Sequence, residues 1–320
     1  MDAVSALHES FRKLVGLTLA VAVVLASVVF PLHRASAAGD PVIAAAGDIA
    51  CDPADSGFNG GNGTAKRCHE KYTANELRAG SFAAVLAVGD TQYNCGGTDA
   101  YAASYNPTWG AVKSITHPVV GNQEYNTSGG TDCGSGASGY FHYFGSAAGP
   151  SGKGYYSFNV GAWHLIALNA NCSHVACKAG SAQEQWLKSD LATHSNTCTL
   201  AFWHQPLFSA GPTTNTQVKP FWNDLYAAHA DLVINGHKHN YERLAKLNPN
   251  GNTASNGIRE IIVGTGGENH ALTGTLYPGT QAADGAHFGI LKLALHASSY
   301  NWSFVSDAGA VLDSGSDNCV

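Results

Sequence analysis

Charge is scarce in this chain, and basic charge scarcer still. Asp, Glu, Lys and Arg together make up 12% of the 320 residues. Nowhere do the basic residues cluster, as a nucleic-acid surface would require, so no partner of that class is indicated. Beyond one apolar run near the start, no stretch is long enough to span a membrane. There is no linker and no internal repeat, which argues against a string of small domains. No C-x-x-C pair occurs, which weakens any reading of the cysteines as metal thiolates.

What is present begins with Arg12 and Lys13, followed by the apolar run Leu14–Leu32 and the small-x-small triplet Ala35-Ser36-Ala37. This pattern predicts a signal peptide over residues 1–37, cleaved after Ala37, and a single domain over 38–320. The alternative is an uncleaved anchor. After cleavage no membrane association is expected, and the chain would be secreted, or periplasmic in a bacterium. All eight cysteines follow the cleavage point. An even number in an exported chain predicts disulfides, with 105 pairings open. Cys172 and Cys177 are close enough to close a small loop.

Apolar runs mark buried strands at Pro41–Gly47, Phe82–Val88, Pro118–Val120, Thr199–Trp203, Asp231–Ile234 and Arg259–Val263. Helical spacing marks Ala65–Ala79, Ala100–Ser114 and Gln217–His229, and a capping box, Ser181-x-x-Glu184, opens a further helix. Gly129–Gly154 reads as a long loop holding an aromatic knot. Tyr155–Val160 and Trp163–Asn169 read as a strand pair. Alternating segments over Phe288–Leu295, Ser299–Val305 and Val311–Asp313 read as antiparallel strands of a second sheet. The expected fold class is α/β: two sheets packed as a sandwich, with helices outside.

Most of the early strands end in a polar residue, and sites in α/β sheets form beyond strand carboxyl ends. The residues are Asp48, Asp90 with Tyr93, Asn122, His204, and His237 with His239. Seven oxygen and nitrogen donors from five strand ends exceed what one ion needs. They suit two metals about 3.5–4 Å apart that share a carboxylate.

In order, the blocks read Asp48-Ile49-Ala50, Gly89-Asp90-Thr91-Gln92-Tyr93, Gly121-Asn122-Gln123-Glu124, Ala201-Phe202-Trp203-His204 and Gly236-His237-Lys238-His239. The series resembles the calcineurin-like metallophosphoesterases, specifically the purple acid phosphatase branch, over nearly the whole chain after residue 37. Asn240-Tyr241-Glu242-Arg243 and Gly264-Thr265-Gly266-Gly267 share the resemblance. It implies an α/β/β/α metallophosphoesterase-type sandwich. It also implies Fe(III) at Asp48, Tyr93 and His239, and Fe(II), Zn or Mn at Asn122, His204 and His237, with Asp90 bridging. Asn122, Gln123 and His204 would act on the substrate. The reaction implied is hydrolysis of a small phosphate monoester by metal-bound hydroxide. A phosphodiesterase or nucleotidase on the same core, or a metal-binding protein with little turnover, are the alternatives. Oligomeric state is not legible.

Three departures stand out. Ala50 replaces a glycine, and Gln123 replaces the histidine of G-N-H-E. The stretch Pro206–Gln217 carries no histidine where family members often do. Gln can donate a hydrogen bond but cannot release a proton near pH 6. Either the substrates have good leaving groups, or an acid comes from another loop, with His142, His174 and His270 as candidates. Glu124 and Glu242 follow ligand blocks, and each is read as a carboxylate that orients a histidine or as a surface ion pair.

Overall fold

The computed structural model describes residues 39–194, 196–211 and 215–320. The expected signal segment, and the cleavage point within it, lie outside the described residues. Strands β1 (Val42–Ala46), β2 (Ala84–Val88) and β3 (Thr116–Val119) come first. Then follow β4 (Tyr156–Val160), β5 (Trp163–Ala167), β6 (Cys198–Phe202) and β7 (Leu232–Asn235). Next are β8 (Tyr241–Leu247), β9 (Ile258–Val263) and β10 (Thr280–Asp284). Last come β11 (Gly289–Leu295), β12 (Ser299–Ser306) and β13 (Val311–Asn318).

Two sheets result, ordered β13-β12-β11-β1-β2-β3 and β10-β8-β9-β7-β6-β5-β4. The pairs β1–β2 and β2–β3 are parallel in the first, as are β5–β6, β6–β7 and β7–β9 in the second. Parallel strands covered on both faces read as unbroken apolar runs, which is why they are legible in the sequence. Alternation then assigns the two faces. Leu200 and Phe202 of β6, with Leu232 and Ile234 of β7, belong to the core that also holds Ile43, Val85 and Leu86 of the first sheet. Ala201, Trp203 and Val233 point the other way, onto Leu187, Phe221, Trp222 and Leu225 of two covering helices. Those helices span Ala182–Thr193 and Lys219–Ala227. The first is capped as expected, Ser181 Oγ accepting from the Glu184 amide at 3.3 Å. The second has Pro in its first turn.

The structure corrects the sequence in four places. The three alternating segments near the end do not start the second sheet. β11 pairs antiparallel with β1 and extends the first sheet through β12 and β13. The helix expected from Ala65 begins at Glu70, because Cys68 is held at φ +64 in a disulfide. The helix expected over Ala100–Ser114 is broken into a short α segment, a π turn and the 3-10 turn Trp109–Ile115. The aromatic knot lies on a helix, Ser138–Phe144, inside the expected loop.

The cysteines pair as Cys51–Cys68, Cys95–Cys133, Cys172–Cys177 and Cys198–Cys319. The first two pin the loops that follow Asp48 and Tyr93. Among the described residues no helix is long and apolar enough to cross a membrane.

Candidate metal centre

The carboxyl ends of β1, β2 and β3 meet those of β6 and β7 where the two sheets face one another. Asp48 and Asp90 follow β1 and β2 by two residues, and His204 and His237 follow β6 and β7 likewise. The strand ends are stitched together by the main chain: Asp48 N–H to Gly89 O at 3.0 Å, and Gly236 N–H to His204 O at 3.1 Å. Gly47 N–H reaches across to Val263 O of the second sheet at 2.9 Å.

Three of the candidate ligands sit in the left-handed backbone region: Asp48 at φ +58, Asp90 at +45 and His237 at +67. Such conformations are costly for side-chain-bearing residues and persist where the surroundings impose them, often at functional sites. Ala50 is not among the positive-φ residues, so its missing glycine costs nothing. Gly89 is different. Its φ is +89, and a Cβ there would come within 2.5 Å of His204 Nδ1.

Two clusters form. In one, Asp48 Oδ1 lies 2.8 Å from the Tyr93 hydroxyl and 3.2 Å from His239 Nε2, which are 3.0 Å from each other. In the other, single donor atoms of Asp90, His204 and His237 all lie within 4.8 Å. Asp90 joins them: its Oδ2 is 3.0 Å from His204 Nε2 and 3.2 Å from the Tyr93 hydroxyl. Asn122 stands beside His237 in the wall of an adjoining cleft of about 490 Å³. Gln123 offers its main-chain amide to Asp90 Oδ1 at 2.8 Å, while its side-chain carbonyl accepts from Asn126.

The hydrogen bonds orient the ligand atoms. His204 Nδ1 donates to Val88 O at 2.9 Å, which leaves Nε2 to face the centre. That Nε2 is buried and has no hydrogen-bond partner of acceptable geometry among the described residues. His239 Nδ1 lies 2.5 Å from Asn269 Oδ1 and 3.2 Å from Glu268 Oε2, so its Nε2 faces inward. Burial would raise the Asp48 carboxyl, but His239, His204 and His237 overcome this and hold it well below the usual range. Burial lowers His204, and Asp90 more than offsets it, to about 9. Burial dominates at His237, which drops to about 4. Tyr93 is pushed well above 10 by burial and by Asp48 and Asp90.

These residues fit two metal ions. An orphaned buried imidazole nitrogen, packed carboxylates and a phenol are a donor set lacking its positive charge. A second cluster, His164, Asp190 and His194, does not read the same way. Both ring nitrogens of His164 are already engaged, Nδ1 with Asn159 at 2.9 Å and Nε2 with Asp190 at 2.7 Å.

The three candidate acids are dispersed. His174 lines the cleft. His142 is exposed on the helix Ser138–Phe144, and His270 bonds Gly285 O with its ring against Phe288. Glu124 and Glu242 are buried, and neither forms a surface pair. Glu124 bonds no histidine among the described residues. Its two oxygens take the amides of Thr91 and Gly121, clamping the Asp90 loop to the Asn122 loop. Glu242 accepts from the Ala210 amide and from Thr280. Sequence reasoning missed Glu268 and Asn269, although they follow directly on the glycine turn at 264–267.

The sheets, the helices outside them and the placement of the site make this a metallophosphoesterase-type fold. Solved structures agree. A purple acid phosphatase from yellow lupin, Lupinus luteus, superposes with a TM-score of 0.64 at 18% identity, covering 87% of this chain and 53% of that one. A dimetal phosphatase from Danio rerio gives 0.56 at 15% identity, covering 88% of this chain and all of the other. By sequence the chain is similar to purple acid phosphatases. Purple acid phosphatase 15 of Arabidopsis thaliana is 28% identical over 219 residues, 59% of this chain. That match spans only 40% of the plant protein's length. No family model matches the chain.

Proposed function

We propose that the chain is a metal-dependent phosphoesterase that hydrolyses small phosphate monoesters after export from the cell. One observation carries the reading. Donors from five strand ends converge so that Asp90 Oδ2 lies within 3.2 Å of groups in both clusters. Asp48, Tyr93 and His239 would hold one ion, Asn122, His204 and His237 the other, with Asp90 between. Bound ions would supply Lewis acidity toward phosphorus and make water a nucleophile near neutral pH. A phenol ligand favours a hard ion, which supports Fe(III) on the Tyr93 side and a divalent ion opposite.

The chain's own groups would position the substrate. With its carbonyl held by Asn126, the Gln123 side chain keeps two N–H groups to donate to a phosphate oxygen. It has no proton to give to a leaving group. Glu124, by clamping two loops, fixes Asp90 and Asn122 relative to one another. The Arg12-Lys13 and Leu14–Leu32 pattern and the disulfides support export.

A second reading, hydrolysis of phosphodiesters, is favoured by the cleft wall. Asn122, Asn126, Asn171, Gln205, Asn215 and Gln217 line it, and no Lys or Arg is among its described lining residues. Neutral amides suit a singly charged diester at least as well as a doubly charged monoester. The test is hydrolysis of p-nitrophenyl phosphate against bis(p-nitrophenyl) phosphate by metal-loaded protein. Faster diester turnover would replace the monoesterase reading, and no turnover of either would end both.

A further inference from the structure

We infer that His174, carried on the disulfide-closed loop Cys172–Cys177, protonates the leaving alcohol. The inference rests on the phosphoesterase reading and deepens it. The cleft beside Asn122 and His237 is where the alcohol arm of a substrate would lie. Half of its described lining is carboxamides, which cannot release a proton. Tyr125 and His174 are the titratable lining groups outside the candidate ligand set. Tyr125 is the poorer acid: burial raises its phenol above 10, away from the neutral range in which a general acid works best. His174 remains.

The loop is built to hold that ring. The amides of His174 and Val175 both bond Asn171 O at 2.9 Å, and Cys172–Cys177 closes the turn. Asn171 is buried and donates to Val120 O, at the foot of the Asn122 block. The loop is thereby tied to the strand end that supplies a candidate ligand. The His174 ring stacks on Tyr125, 4.0 Å between centroids and 10° from parallel. Stacking fixes the ring plane and leaves both nitrogens free of hydrogen bonds to described residues.

The step balances. Water adds to phosphorus and loses a proton to solvent. The P–O bond to the alcohol breaks and its electron pair stays on the leaving oxygen. That oxygen takes the proton from the His174 imidazolium, and the neutral imidazole recovers one from solvent.

The test compares wild type with His174→Asn on an aryl and an alkyl phosphate. An alkoxide needs the proton and a nitrophenolate does not. The variant should lose about 100-fold or more in kcat/KM on the alkyl ester and stay within about threefold on p-nitrophenyl phosphate. A Cys172→Ser/Cys177→Ser variant should show a weaker loss with the same selectivity. Separately, in zinc-loaded protein the His174 ring resonances should shift on adding an uncleavable alkyl phosphonate, while those of His142 and His270 stay put. Equal loss on both esters, no loss on either, or an unmoved His174 resonance would overturn the proposal. If wild type cleaves neither ester, the phosphoesterase reading falls and this one with it; failure of His174 alone leaves that reading standing.

Discussion

The main-chain amide of His237 donates to Oδ2 of Asp48 across 2.7 Å. This bond joins the loop after β7, in the second sheet, to the end of β1 in the first. Asp48 therefore does two things: its Oδ2 holds the histidine loop, and its Oδ1 faces Tyr93 and His239. Asp48→Asn keeps an acceptor for the His237 amide and removes a negative charge from the centre. The variant should fold with a near-normal Tm, bind less metal and lose at least about 100-fold in activity, more than the 10–100-fold typical of residues supporting a ligand. Calorimetry together with metal analysis checks this. A variant that keeps full metal content and activity would remove Asp48 from the ligand set.

Metal loading should compete with protons. In the metal-free protein Asp90 holds His204 protonated to about pH 9, and Asp48 and Glu268 raise His239 against the lowering effect of burial. Both must lose a proton to bind an ion. His237, at about 4, is already neutral. Apparent metal affinity should therefore rise at least about tenfold per pH unit between pH 6 and 8. Chelator competition across that range measures the slope, and a flat profile would contradict the assignment of His204 and His239.

Glu70 offers a test away from the centre. Burial pushes its carboxyl up from 4.5 to about 7, and its Oε2 has no hydrogen-bond partner among the described residues. The folded state thus holds this proton more tightly than the unfolded chain. Stability from Glu70 is fully present below pH 4.5 and is lost as pH rises through 7. The loss is about 3 kcal/mol at the standard conversion of 1.36 kcal/mol per pKa unit. Glu70→Gln cannot ionise, so urea unfolding should show a shallower fall in stability between pH 4.5 and 8. An unchanged slope would show that Glu70 titrates alike in the folded and unfolded chain, and would contradict its raised value.

The parts of this site that were legible in the sequence are those fixed by local pattern. Buried parallel strands give unbroken apolar runs, and a polar residue just after each run marks its carboxyl end. That located Asp48, Asp90, His204 and His237. Non-local pairing was not legible. The alternation of β11 to β13 is the same whether they found a new sheet or extend β1. β8 escaped because its register shifts between Arg243 and Lys246, which breaks the period-2 signal. β10 escaped because it is a short, half-buried edge strand. Glu268 and Asn269 lie beyond a glycine turn with no periodicity, so only the fold brings them to His239. Among the three histidines offered as acids, spacing could not rank His174 first. Its place depends on a loop folding back against the end of β3.

Metal content and the visible spectrum, with and without Tyr93→Phe, test the central claim most directly. The account predicts about two metal ions per chain, one of them iron(III), and a visible tyrosinate-to-iron band that disappears in Tyr93→Phe. A colourless protein with one ion or none that still hydrolyses phosphoesters at full rate would contradict it.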